Sequence, residues 1–249
     1  MAIQFKFDEK RFVVTGATSG IGKKITLDLA EHGAQVLAIG RRKERLDALK
    51  DNFPGNIFTA GIDVNDFSTL KIELEKFGEK GKIDGSVHAA GINKFTPLRA
   101  FNWKDAENII KTSLYAGIEL IRILSSQKLS AIKSSHVIIA SVAGIKGEVG
   151  FTAYSAAKSA VIGAARSMAV ELAIKDIRVN TITPGWLPTE MTDAIEARYP
   201  GRLETIKLLH PLGIGTVEDI SNLLMFLLSE ESKWITGSNI VIDGGCSIR

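Results

Sequence analysis

The stretch "VVTGATSGIGKKI" (13–25) decides the fold. A short β-branched run ends at Thr15, glycines follow at 16, 20 and 22, and a helical pattern opens at once. A tight turn needs residues without Cβ, and close approach to a pyrophosphate needs bare backbone. The amino end of the following helix adds unpaired N–H groups and a favourable dipole. The spacing is G-x-x-x-G-x-G rather than the more familiar G-x-G-x-x-G. Glycine-rich turns also occur where nothing binds, and it is the position between strand and helix that favours a dinucleotide. Gly16, Thr18, Ser19, Gly20, Ile21 and Gly22 are the candidate contacts.

Outward from that turn, short apolar runs alternate with helical patterns. Strands are expected in "RFVVT" (11–15), "QVLAIG" (35–40), "NIFTAGID" (56–63), "GSVHAAG" (85–91), "HVIIAS" (136–141), "IRVNTITPG" (177–185) and "NIVIDGG" (239–245). Helices are expected over 20–33, 43–53, 68–78 and 102–126, in a segment running to about 175, and over 216–230, opened by Thr216. Asn102 and Asp105 are placed like a capping box. Strands without clean alternation, separated by helices, indicate a parallel sheet covered on both faces. Right-handed crossovers then give a doubly wound, Rossmann-type α/β fold, one domain over 1–249. The least regular region, 186–215, follows a strand's carboxyl end, where ligands bind in such sheets. It is read as a substrate lid, a plain surface excursion being the alternative.

Composition narrows the function classes. The chain has 249 residues, 45% hydrophobic and 24% charged, an ordinary globular balance. A net charge of +3 with dispersed basic residues does not imply nucleic acid. No stretch approaches 18 uninterrupted apolar residues, so no membrane span is expected, and the first twelve residues lack a signal-peptide pattern. The single cysteine, Cys246, excludes an internal disulfide and suits a reducing compartment, hence a cytoplasmic location. His32, His88, His136 and His210 are scattered without ligand spacing, and no metal site is expected.

The end of the second strand selects the cofactor. A carboxylate there would hold a ribose hydroxyl and favour NAD. This chain has Gly40 and then Arg41 and Arg42, and guanidinium groups suit a phosphate. NADP(H) is expected over NAD(H), unless the arginines merely open an exposed charged helix. In "FTAYSAAKSA" (151–160), Tyr154 and Lys158 stand four apart, on one face of a helix. An ammonium beside a phenol favours the phenolate, so the tyrosine pKa is expected below its usual ~10. A surface tyrosine beside a solvated lysine is the plain alternative.

"TGATSGIG" (15–22), "AAG" (89–91), Ser141 thirteen residues before Tyr154, Lys158 and "PGWLPTEM" (184–191), in this order, resemble the short-chain dehydrogenase/reductase family along essentially the whole chain. Within it the chain looks like the 3-oxoacyl-carrier-protein reductases and related carbonyl or sugar-alcohol dehydrogenases. The resemblance implies an oxidoreductase acting on a carbonyl or secondary alcohol. Tyr154 would be its general acid and base, Lys158 would bind the nicotinamide ribose, and Ser141 would stabilise charge on the substrate oxygen. It places Asp63 and Val64 at the adenine, Ala90 and Gly91 along the cofactor channel, Thr189 and the backbone near Leu187 at the carboxamide, and Pro184 and Gly185 among the other cofactor contacts. Many relatives have asparagine in the long fourth helix, in a proton relay, where this chain has Ser113. They also often read NNAG where this chain reads His88-Ala89-Ala90-Gly91, and His88 is taken as a packed strand residue.

The substrate stays open at this level. An acidic carrier protein needs a basic surface, but Arg122, Lys133 and Arg166 form no evident cluster, and Val170 is apolar where a docking arginine would be sought. Val142, Gly147, Glu148, Phe151 and Trp186 are candidate substrate neighbours. A sugar-alcohol dehydrogenase using NAD, a carrier-protein reductase and a non-catalytic NADP sensor remain as alternatives. "LYAGIELIRIL" (114–124) and "AVIGAARSMAVELA" (160–173) carry apolar or small residues on more than one side, which suggests self-association, and the resemblance points to a tetramer.

Overall fold

The computed structural model describes residues 5–190, 192 and 201–249. Seven parallel strands form one sheet: β1 (Arg11–Thr15), β2 (Gln35–Gly40), β3 (Ile57–Gly61), β4 (Ile83–His88), β5 (Ser130–Ile139), β6 (Arg178–Pro184) and β7 (Asn239–Ile242). Their spatial order is β3-β2-β1-β4-β5-β6-β7. The order reverses between β1 and β4, which pair from Phe12↔Gly85 to Thr15↔His88. In doubly wound sheets a ligand crevice opens at such a reversal, outside the strands' carboxyl ends.

Both faces are covered, as unbroken apolar strands require. Phe12 and Val14 of β1 pack with Val36, Ala38, Ile139 and Ile182 beneath helices α1 (Gly20–Glu31), α2 (Lys43–Asn52) and the late helix Val217–Leu228. The intervening Val13 points the other way, into a cluster with Leu37, Leu70, Leu74, Leu120 and Leu124. That side is closed by α3 (Phe67–Gly78), by α4 (Trp103–Ile110) with α5 (Ala116–Leu124), and by α6 (Thr152–Leu172), whose Val161, Ala165 and Ala169 meet Ile138 and Val179. A short α7 (Arg202–Leu208) precedes α8, the Val217–Leu228 helix. Thr216 opens α8 with a complete capping box to Asp219. Ser221 of α8 hydrogen-bonds Asp28 of α1, and Lys24 pairs with the same carboxylate at 2.6 Å.

Two expected boundaries are corrected. The helix read as continuous over 102–126 is interrupted: α4 and α5 are joined by one π-helical turn, Lys111–Tyr115. Asn102 accepts from the Asp105 backbone N–H at 3.0 Å, which is one half of the expected box. β5 begins at Ser130, six residues before its apolar core. Of the region read as a lid, residues 191 and 193–200 lie outside those described. Its beginning is folded back by Thr192, whose hydroxyl accepts from the Thr189 N–H at 2.8 Å.

Candidate active site

A cleft of about 640 Å³ lies at the reversal point of the sheet. Every expected cofactor residue lines it, from Gly16, Thr18, Ser19, Gly20, Ile21 and Gly22 through Arg41, Arg42, Asp63, Val64, Ala90 and Gly91 to Pro184, Gly185, Leu187 and Thr189. Ser141, Tyr154 and Lys158 line the same cleft. Ser113 does not; it is fully buried behind the wall. Its Oγ lies 3.7 Å, and the Lys158 Nζ 3.6 Å, from the point where a Cβ on Gly91 would sit.

The phosphate turn is closed by close approach of backbone. A Cβ on Gly22 would lie 2.3 Å from the Gly16 carbonyl oxygen, so no side chain fits there. Ser19 precedes α1 in extended backbone without capping it through its side chain, which leaves the first-turn N–H groups to an incoming anion. Its hydroxyl accepts from Arg42 Nη2 at 2.8 Å instead. Thr18 Oγ1 accepts from the same guanidinium at 2.9 Å, so Arg42 is fastened to the turn. Arg41 points elsewhere, its Nη1 4.0 Å from Asp63.

Buried polar atoms test whether these residues fit a dinucleotide. Asn65 lines the cleft and donates to Thr112 Oγ1 at 2.9 Å, yet its Oδ1 is buried with no partner among the described residues. The Ser113 Oγ is likewise unpartnered. Such groups typically cost about 1–3 kcal/mol each unless something answers them. A glycine-built cradle, uncapped helix N–H groups, a guanidinium fastened to the turn and a spare acceptor beside Asp63 and Val64 match the parts of a dinucleotide. Asn65 was missed in the sequence, where only its position after Asp63-Val64 could have flagged it.

Ser141 ends the segment after β5, and its Oγ accepts from the Ala143 N–H at 3.2 Å, starting the turn Val142–Gly144. That turn is tied to α6 by Ser159, whose hydroxyl donates to the Gly144 carbonyl at 2.6 Å. Ser141 lies near enough to the Tyr154 hydroxyl in the same cleft to favour its ionised form. Lys158 is buried, donates to the Ile139 carbonyl at 2.6 Å and lies 5.6 Å from the Tyr154 ring centroid. Phe151 packs edge-on against both Tyr154 and Trp186, and the Trp186 indole N–H donates to Glu148 at 3.2 Å.

Electrostatics correct one expectation. Tyr154 is not acidified: its pKa is pushed up to about 12. Although the residue as a whole is partly exposed, its hydroxyl sits deep in the cleft, and desolvation is the largest cause. The Ser141 hydroxyl opposes it, and the nearby Glu148 charge adds to it. Lys158 is itself pushed down to about 8 by burial. The two side chains do share one face, as expected, but burial sets the direction for both. His88, as expected, is packed in β4: its Nε2–H donates to the Thr112 carbonyl at 3.0 Å, and its Nδ1 accepts from Thr15 Oγ1 at 2.8 Å.

A doubly wound sheet with a glycine-built phosphate turn at its crevice and a Ser–Tyr–Lys cluster beside it defines a dinucleotide-binding oxidoreductase. A family profile described as "Enoyl-(Acyl carrier protein) reductase" matches residues 16–247. The 3-oxoacyl-[acyl-carrier-protein] reductase FabG of Thermotoga maritima is 36% identical over 98% of this chain and all of that protein. FabG of Escherichia coli strain K12 is 32% identical over 96% of this chain and 98% of its own length. Among solved structures, a short-chain dehydrogenase/reductase from Mycobacterium ulcerans superposes with a TM-score of 0.91 at 27% identity, covering 98% of this chain and 92% of that one. A Beutenbergia cavernae protein, provisionally assigned as an NAD(P) dependent gluconate 5-dehydrogenase and solved with bound NADP at low occupancy, has a TM-score of 0.91 at 30% identity, covering 99% and 100%. The chain belongs to the short-chain dehydrogenase/reductase family of NAD(P)-dependent carbonyl/alcohol oxidoreductases. Among the described residues no helix is long and apolar enough to cross a membrane, and no cluster of residues could hold a metal ion.

Proposed function

We propose that the protein is an NADP(H)-dependent reductase of a small carbonyl compound, or the reverse secondary-alcohol dehydrogenase, with Tyr154 as acid and base. The observation that carries this reading is that Ser141, Tyr154 and buried Lys158 line the same cleft as the phosphate turn, with Lys158 Nζ 5.6 Å from the Tyr154 ring centroid. The nicotinamide, when bound, supplies or accepts the hydride. Tyr154, held protonated by burial, donates its proton to the substrate oxygen in the reducing direction. Ser141 hydrogen-bonds that oxygen as negative charge develops on it. Lys158 offers an ammonium toward the nicotinamide ribose, and Ser113, which like Lys158 Nζ borders the open side of Gly91, carries a hydroxyl that both donates and accepts and so suits a proton relay. Phe151 and Trp186 give the substrate an apolar wall, and Glu148 gives it an acceptor.

NADP(H) is favoured because Arg41 and Arg42 stand where a carboxylate would select NAD. Likeness to the FabG proteins supports a second reading, a 3-oxoacyl-carrier-protein reductase. Against it, Arg122 is spent in a bidentate ion pair with Glu119 of its own helix, and Val170 is exposed and apolar. Trp103, Tyr115, Val170 and Ile174 are exposed apolar residues on α4 to α6 and the turn that ends α6, which favours assembly, with a homotetramer as our reading. A cytoplasmic location accords with the lone cysteine.

The deciding experiment follows reduced-nicotinamide absorbance against a panel of ketones, with Tyr154→Phe beside the unaltered protein. Turnover is expected to drop about 100-fold or more in the variant. Equal turnover would remove Tyr154 from the chemistry, and binding without turnover on every ketone would point to a sensor instead.

A further inference from the structure

Glu190 is 148 residues from Arg42 in the chain, yet its Oε2 lies 2.9 Å from Arg42 Nη1. Its other oxygen accepts from Arg45 Nη1. One carboxylate therefore bridges two guanidinium groups at the mouth of the cleft, and Arg42 and Glu190 both line that cleft. The remaining bonds of Arg42 go to the neutral oxygens of Thr18 and Ser19. Asp63 faces Arg41, so Glu190 is the carboxylate that meets the charge of Arg42 among the described residues. The two arginines hold the Glu190 carboxyl below its usual range, which keeps it ionised at neutral pH.

We propose that Glu190 is a specificity residue that competes with the cofactor's 2′-phosphate for Arg42. The inference rests on the NADP(H) reading above. A phosphate on the adenine ribose needs the same guanidinium N–H donors that the carboxylate now occupies. Two anions cannot share them without repulsion, so the phosphate displaces Glu190. A bare 2′-hydroxyl makes no such demand, and NAD(H) binds with the ion pairs intact. Glu190 thus narrows the preference that the arginines create, and the chain carries both the selector and its brake. Exposed ion pairs are weak, which sets the expected effect at about two- to fivefold.

Calorimetric titration of the intact protein with NADPH, NADH and adenosine 2′,5′-bisphosphate tests this. Glu190→Gln should raise the NADPH-to-NADH affinity ratio about two- to fivefold and tighten the bisphosphate equally. In an Arg42→Ala background the same substitution should gain nothing. A ratio left unchanged or lowered by Glu190→Gln, while Arg42→Ala still reduces it, would overturn the competition and leave the NADP(H) reading standing. If neither Arg41→Ala nor Arg42→Ala alters the ratio, the NADP(H) reading fails, and the competition fails with it.

Discussion

Lys158 pays the cost of burial alone, with a backbone carbonyl as its hydrogen-bond partner and no paired carboxylate among the described residues. Its ammonium is consequently labile near pH 8, far below the usual lysine range. Tyr154 moves the opposite way and keeps its proton. The free protein is therefore poised as an acid, and the charge that varies near neutrality is on the lysine. For the varied cofactor, kcat/KM reports ionisations of the free protein. It should fall as pH rises through about 8, where Lys158 loses its charge. Lys158→Arg, which stays protonated, should abolish that limb whatever it does to the plateau. A limb that stays near 8 in the variant would assign it to another group.

At the scale of elements, the π-turn at Lys111–Tyr115 sets the depth of Ser113. A turn of this type breaks the regular i→i−4 ladder, and Thr112 turns its carbonyl to the His88 imidazole. The ring lies flush against α5, where a Cβ on Gly117 would come within 3.0 Å of His88 Cδ2. Glycine to alanine inside a helix ordinarily gains roughly 0.5–1 kcal/mol. Here the ring is pinned at both nitrogens and cannot retreat, and overpacking costs about 1–3 kcal/mol. Gly117→Ala should therefore lower the urea midpoint, and a raised midpoint would mean that the ring is free to move. The late helix α8 gives a control, because Thr216→Ala removes a complete capping box for about 1 kcal/mol without touching the cleft.

Over the whole molecule, two buried imidazoles govern acid stability. His88 and His136 are both pushed down to about 4, chiefly by burial, with the Lys158 charge acting on the first and the Arg178 charge on the second. An unfolded chain takes up these protons near 6.5, whereas the folded one refuses them until about 4. The associated stability is complete above about pH 6.5 and is lost as pH falls toward 4, on the order of 3 kcal/mol for each ring. Denaturant titrations across that window should show the decline, and His136→Gln should flatten it; a slope unchanged in that variant would locate the protons elsewhere. The sheet, the glycine turn and the Tyr154–Lys158 pair were legible in the sequence because each is a demand on neighbouring residues. The beginning of β5 was not, since Ser134 and Ser135 are polar and buried through bonds to His136 and the Leu227 carbonyl. The π-turn depends on a ring from another strand, and the bridge from Glu190 to Arg42 depends on a crossing of the chain. Spacing placed Lys158 beside Tyr154 but carried no information on depth, so the direction of the tyrosine shift was misjudged.

The fit of the His88 ring against Gly117 also couples what each of the two positions can tolerate. A side chain at 117 would press on the edge of a ring held at both nitrogens, so the tolerance of one position is set by the residue at the other. Trimming His88 alone would leave a hollow against the helix, and substitutions at the two positions should have effects that do not sum.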